Sequence, residues 1–161
     1  MTKRENDEIR GTEAELLFYN IMLAKYPDAV FVFPTDDQNK FEHWDIEVNG
    51  IKYDVKDEKV LGKLNAISQE YVLLEIKNIH GYDGWLFGKA DSIAFKYYDS
   101  FLISPRLKLI EYNKLNTKKI LVKNIDDAIH KLYRRVKNDR LDLITIAPVD
   151  DILKFSYQIY I

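Results

Sequence analysis

The alternation of apolar and polar residues is sharpest in the middle of the chain, where Asp45-Ile46-Glu47-Val48 and Ile51-Lys52-Tyr53-Asp54-Val55-Lys56 flank Asn49-Gly50. Asn-Gly between two such runs is a favoured two-residue hairpin turn, because both central residues must take positive φ. The register follows: Val48 opposite Ile51, Glu47 opposite Lys52, Ile46 opposite Tyr53, and Asp45 opposite Asp54. Ile46, Val48, Ile51, Tyr53 and Val55 then share the core face, and Asp45, Glu47, Lys52, Asp54 and Lys56 share the other.

Upstream, Ala14, Leu17, Ile21 and Ala24 recur at helical spacing after Gly11, and Pro27 closes the run near Tyr26. Ala29 to Phe33 predicts a buried strand, bounded by Pro34 and the polar run Thr35 to Lys40. Downstream, a third strand is expected over Tyr71 to Lys77, then a glycine-punctuated loop from His80 to Lys89. Strands near Ser92–Lys96 and Phe101–Ser104 should pair, and Pro105 opens a helix to about Leu115. Asp126 to Lys137 predicts an amphipathic helix with Ile125, Ile129, Leu132 and Val136 on its stripe. Leu141–Ala147 and Phe155–Tyr160 close the chain as strands. The order is mixed α/β of the α+β kind, with hairpin-linked strands flanked by helices rather than strict βαβ alternation.

At 161 residues, 47% hydrophobic and 31% charged, the chain is expected to form a single domain with its own core. The absence of cysteine excludes disulfides, thiolate metal sites and a cysteine nucleophile. No apolar run approaches the roughly 18 residues of a membrane span, and Met1 to Glu8 has no apolar stretch of a secretory signal. A cytoplasmic, soluble protein with no membrane partner is the expectation.

Charge is unevenly spread. Residues 1–105 carry 12 basic and 19 acidic residues, a net of −7, whereas residues 106–140 carry 11 basic and 4 acidic, a net of +7. An acidic front and a basic back suit a protein that gathers carboxylates in one place and meets a polyanion with another. On the expected helix over 126–137, Lys131, Arg134, Arg135 and Lys137 lie off the apolar stripe, with His130 beside them and Arg140 following. Such a face makes phosphate contacts without reading sequence. Tyr82, Trp85 and Phe87 in the glycine-rich loop suit either base stacking or, more commonly, anchoring of the loop to the core. No Walker-type phosphate loop is present.

The hairpin carries the chemistry. Directly opposed side chains on paired strands have Cβ atoms about 4.5–5.5 Å apart, and like charges there repel. Two carboxylates so placed must take a proton or share a cation, and Mg²⁺ binds through one or two carboxylates plus phosphate and water. Lys56, two residues beyond Asp54 on the same face, brings an ammonium that stabilises developing phosphorane charge or positions an attacking water. Glu15, in the first turns of the opening helix, is a further candidate. His43 falls opposite Lys56 if pairing continues, which makes it an accessory acid–base candidate.

These residues resemble the PD-(D/E)xK nuclease superfamily, especially its Holliday-junction-resolvase and phage-type endonuclease branches. Asp45 followed by Asp54-Val55-Lys56 fits the core motif, and Gly11-Thr12-Glu13-Ala14-Glu15 looks like the upstream helix-borne Glu segment. The match spans about residues 10–104, leaving 105–161 as a basic extension. Trp44 stands where the family name would put proline. A second match, Glu75-Ile76-Lys77, sits on the next strand; the hairpin register favours the first, with Glu75 and Lys77 as accessory residues.

The resemblance implies a restriction-endonuclease-like core with a mixed central sheet, and Mg²⁺- or Mn²⁺-dependent hydrolysis of phosphodiester bonds in DNA, with RNA as another substrate of the same chemistry. It implies Glu15, Asp45 and Asp54 as metal ligands, the Val55 carbonyl as a further ligand, and Lys56 as the catalytic lysine. Cutting both strands of a duplex would suit a homodimer. The rival expectation is a noncatalytic nucleic-acid-binding or assembly protein on the same scaffold.

Overall fold

The computed structural model describes residues 3–61, 66–134 and 139–160. In chain order the first elements are α1 (Lys3–Lys25), β1 (Phe31–Val32), β2 (Ile46–Val48), β3 (Ile51–Lys56), β4 (Lys59–Leu61), β5 (Ala66–Ser68) and β6 (Tyr71–Lys77). There follow β7 (Ser92–Tyr97), β8 (Ser100–Pro105), α2 (Arg106–Asn116), β9 (Leu121–Val122) and β10 (Leu132–Arg134). Last come β11 (Leu143–Pro148), α3 (Val149–Leu153) and β12 (Tyr157–Tyr160). The fold is α+β, with two mixed sheets and a few helices: a six-stranded sheet in the order β1-β2-β3-β7-β8-β12 and a four-stranded one in the order β6-β11-β10-β9. Strands β4 and β5 form a separate antiparallel pair. No helix among the described residues is long and apolar enough to cross a membrane.

The chain gathers into two compact units, neither of them a continuous stretch: Met1–Asp57 with Lys89–Ser104 and Ser156–Ile161, and Glu58–Gly88 with Pro105–Phe155. In the first, α1 lays Ala14, Phe18, Ile21 and Met22 on Ile46, Val48, Tyr53 and Val55 of the hairpin and on Ala94, Phe101, Ile103 and Ile159. Phe18 stands 5.2 Å, centroid to centroid, from both Tyr53 and Phe101, the edge and tilted geometries that aromatic quadrupoles favour.

The hairpin forms as its sequence predicts. Asn49 and Gly50 take φ of 49° and 84°, and the ladder pairs Val48 with Ile51, Glu47 with Lys52 and Ile46 with Tyr53. On its far side β3 runs parallel to β7, with Asp54 beside Ile93 and Lys56 beside Phe95. Two expectations about which hairpin residues are buried fail. Ile51, at the turn, is exposed despite its core-face parity, and Asp54 is buried although it alternates away from Tyr53 and Val55. The interior half of β3 is therefore buried on both faces.

The segment expected as a buried strand at 29–33 pairs only through Phe31 and Val32, at the edge of the sheet. Val30 and Phe33 are 66% and 58% exposed, because an edge strand meets its sheet on one side only. The polar run beyond it is not a plain loop. Thr35 and Gln38 exchange side-chain-to-backbone hydrogen bonds in both directions (3.2 and 3.0 Å), a capping box that starts a wide, π-type helical turn over Gln38–Glu42.

In the second unit, β6 and β11 pair from Tyr71↔Pro148 to Lys77↔Leu143, with a bulge beside Ile144. The amphipathic helix expected over 126–137 does not form. Ile125–Asp127 is a single 3₁₀ turn and Leu132–Arg134 is strand β10, between β9 and β11. The Ala128 carbonyl accepts the Ile146 amide (3.1 Å), the His130 amide donates to the Ile146 carbonyl (3.1 Å), and the Leu132 amide donates to Ile120 (2.9 Å). Those sheet bonds take the groups an α-helix would use, and His130 at φ 54° breaks helical continuity; tertiary pairing overrides periodicity. Val136, Arg135 and Lys137 lie outside the described residues.

Within the glycine-rich loop, Trp85 and Leu86 are buried in a 3₁₀ turn, so the loop is anchored by its tryptophan, while Tyr82 is exposed. Gly84 is dictated by space: a Cβ there would come within 2.4 Å of the Glu75 carbonyl oxygen. Gly84→Ala is expected to destabilise the protein by about 1–3 kcal/mol through backbone overpacking, read from the denaturant midpoint. A change within 0.5 kcal/mol would mean that the loop yields freely.

Candidate active site

The hairpin ladder stops at Ile46↔Tyr53, one pair short of the register that would set Asp45 squarely across from Asp54 and His43 across from Lys56. Asp45 instead donates its amide to the Tyr53 carbonyl (2.8 Å), and the chain before it turns away through His43, which takes a left-handed φ of 55°. The end of β2 would leave the Val55 amide without a strand partner on that side. The Asp45 carboxylate fills the place, its Oδ2 accepting the Val55 N–H at 2.7 Å. Val55 thus meets the site through its amide, while its side chain joins the core.

The other oxygen of Asp45, Oδ1, accepts a hydrogen bond from the Asn39 amide (2.8 Å), and the same amide group donates to the Trp44 carbonyl (3.3 Å). Asn39 stands on the π-type turn and was not singled out from the sequence. The sign that could have found it is the Thr35-x-x-Gln38 capping pattern, which marks an ordered turn running straight into Asp45.

Asp54 is the most constrained group of the site. It is 2% exposed; its Oδ1 lies 2.6 Å from Lys56 Nζ, and its Oδ2 is buried where no donor among the described residues reaches it. Burial drives its carboxyl well above the usual carboxylate range; Lys56 opposes the shift, and the charge of Asp45 and a carboxyl-to-carboxyl hydrogen bond with it add to it. Glu15 keeps much of its surface in solvent, yet its carboxyl is pushed up to about 7, first by burial and then by Asp45, with Lys56 pulling the other way. A residue of α1, one at the end of β2 and two of β3 therefore sense one another electrostatically, although Asp45 and Asp54 are not ladder partners.

As placed, no three His, Cys, Asp or Glu side chains among the described residues make a group able to hold a metal. What the hairpin offers a cation is narrower: two carboxylates from adjacent strands, one with a buried oxygen that no donor among the described residues reaches. Oxygen donors in that number suit Mg²⁺, which keeps several waters and takes one or two carboxylates.

The remaining candidates belong to the second unit. Glu75 accepts the Trp85 amide through Oε1 (3.3 Å), and Lys77 pairs with Asp83 (2.7 Å). Both therefore have local structural partners. Arg134 is exposed on β10 beside Leu143, Lys131 is half-buried, and Arg140 pairs with Asp142 (3.3 Å). No family model, no curated protein and no solved structure matches this chain.

Proposed function

We propose that the chain is a divalent-cation-dependent phosphodiesterase acting on DNA, with its active site at Glu15, Asp45, Asp54 and Lys56 on a restriction-endonuclease-like core. The observation that carries this reading is the buried Oδ2 of Asp54, which no donor among the described residues reaches. A carboxylate oxygen stripped of water and left without a donor is costly unless it takes a proton, which Asp54 can share with Asp45, or a cation binds it; the acids of a phosphodiesterase site offer the second outcome. The mixed sheet, with its acids on a hairpin and its Glu on the preceding helix, supports the same reading.

In that role Asp45 and Asp54 hold a Mg²⁺ or Mn²⁺ ion, Asp45 being aligned beforehand by Asn39 and the Val55 amide. The bound cation supplies Lewis acidity to the scissile phosphate and lowers the pKa of water there. Lys56 offsets the negative charge that grows on the phosphoryl oxygens, and Glu15 orients the attacking water. No covalent intermediate with the protein is needed.

A noncatalytic scaffold is the second reading, favoured by the 2.6 Å Lys56–Asp54 pair, which would serve as a permanent internal counter-ion. Incubation of plasmid, single-stranded and branched DNA, and of RNA, with Mg²⁺ or Mn²⁺ separates the two. Cleavage by the wild type that Asp54→Ala abolishes supports the enzyme; cleavage equal in both proteins, or none with any substrate and metal, refutes it.

For the basic residues of the second unit, Arg134→Ala is expected to weaken DNA binding alike across sequences and to lower the salt slope by about 1, as loss of one phosphate contact does. Fluorescence anisotropy over a salt series reads both; an unchanged slope removes Arg134 from the interface.

A further inference from the structure

The turn that aligns Asp45 also displays two side chains with no evident structural use. Phe41 is 66% exposed, and Lys40 Nζ stands 5.2 Å from its ring centroid, in cation–π range. A single exposed phenylalanine is ordinary on a floppy loop. This one sits on a frame tied down on every side. The Thr35–Gln38 capping box fixes the entry. At the exit, the Glu42 carbonyl accepts the Lys89 amide (2.7 Å), and the Glu42 carboxylate takes Trp44 Nε1 (3.0 Å) and Lys89 Nζ (3.1 Å). Those two bonds hold the Glu42 carboxyl below its ordinary pKa. From the middle of the turn, Asn39 bonds directly to Asp45.

We propose that the Gln38–Glu42 turn is a stacking platform for one unpaired nucleobase, with Phe41 as the stacking ring and Lys40 as its phosphate contact. The substrate of the adjoining site is thereby a strand carrying at least one unpaired nucleotide next to the scissile bond. This rests on the phosphodiesterase reading above and deepens it. A rigid aromatic presented to solvent offers a face to any base that has one free, and stacking of this kind is tolerant of sequence. A base inside a continuous duplex has both faces covered by its neighbours and has none to offer. The ammonium beside the ring matches the phosphate that every nucleotide brings with its base. Because the turn bonds to Asp45, a base held on Phe41 places its own strand, rather than a remote one, at the carboxylates.

The test uses the full-length protein in EDTA, so that binding is read without cutting. The chain's two tryptophans, Trp44 and Trp85, are both buried, so a Phe41→Trp variant carries the responsive indole. Titration with a single-stranded oligothymidylate should quench its emission to saturation, and a blunt duplex of equal length should not. Phe41→Ala should lose about tenfold or more in single-strand affinity, and Phe41→Tyr should restore it. With Mg²⁺ present, Phe41→Ala should raise KM on a substrate with an unpaired nucleotide and leave kcat within twofold.

Equal quenching by duplex and single strand overturns the platform. So does Phe41→Ala binding and cutting unpaired substrate like the wild type, or altering only the oligomeric state, as a protein-docking surface would. Failure of the underlying reading looks different: no cleavage that depends on Asp54. Single-strand binding that still depends on Phe41 in that case supports the platform as a binding element.

Discussion

Asparagine in place of Asp54 is expected to abolish cleavage, by at least about 10³-fold, and at the same time to stabilise the cation-free protein at neutral pH by about 1–2 kcal/mol. The two effects share one cause. Without a cation, Asp54 is a buried acid whose second oxygen meets no donor among the described residues, and burial, the Asp45 charge and the hydrogen bond with Asp45 all resist its ionisation. The sign follows from proton linkage. A carboxyl whose pKa is higher folded than unfolded binds more protons in the native state between the two values, so stability falls as pH rises through that window. Glu15 adds to the trend over the range from its ordinary 4.5 to about 7. In EDTA the wild type should therefore be more stable at pH 5 than at pH 8, and Asp54→Asn should flatten that dependence. Mn²⁺ should stabilise the wild type at pH 8 and leave the variant unmoved. Denaturant midpoints at the two pH values, with and without Mn²⁺, check all of this. An Asp54→Asn protein less stable than wild type at pH 8 in EDTA would show that the site holds no stored electrostatic cost.

The parts of the structure legible in the sequence were those dictated locally. Asn49-Gly50 needs positive φ at both positions whatever surrounds it, and this fixed the hairpin and three of its ladder pairs. Pro105 marked the start of α2, and the periodicity before Pro27 marked α1, although its buried residues are Ala14, Phe18, Ile21 and Met22 rather than the stripe through Leu17 and Ala24. What escaped was decided by distant partners. The apolar spacing of Ile125, Ile129 and Leu132 is genuinely helical, but β9 and β11 offer its backbone a better set of hydrogen bonds than a helix would. The fourth pair of the hairpin escaped for a similar reason: Asp45 uses its carboxylate in place of a backbone rung to cap Val55. Ideal extrapolation of the ladder thus reached the right neighbourhood for the two acids by a route the chain does not take.

Lys56→Met is expected to cost about 3–5 kcal/mol of stability at pH 8 in EDTA and far less at pH 5, and to lower cleavage by about 10²–10³-fold. Among the described residues Lys56 is the cation paired with Asp54, and 23% of its side chain reaches solvent. Its removal leaves a buried carboxylate with neither counter-ion nor water. At pH 8 the native state must carry that charge or capture a proton against the bulk pH; at pH 5 the proton is at hand and the penalty shrinks. The double variant Asp54→Asn with Lys56→Met then isolates the source. If the cost is the orphaned charge, removing the charge should recover most of the lost stability, a coupling of about 2–3 kcal/mol between two residues in contact. A double variant as unstable as Lys56→Met alone would trace the loss to packing of the lysine stem instead. Lys56→Arg sharpens the distinction: it keeps the charge and should hold stability near wild type, yet a planar guanidinium cannot reproduce a point ammonium beside the scissile phosphate, so activity should stay depressed. Stability that follows charge, with activity that follows the shape of the cation, is the behaviour of a lysine held for chemistry by the same carboxylate that would bind the metal.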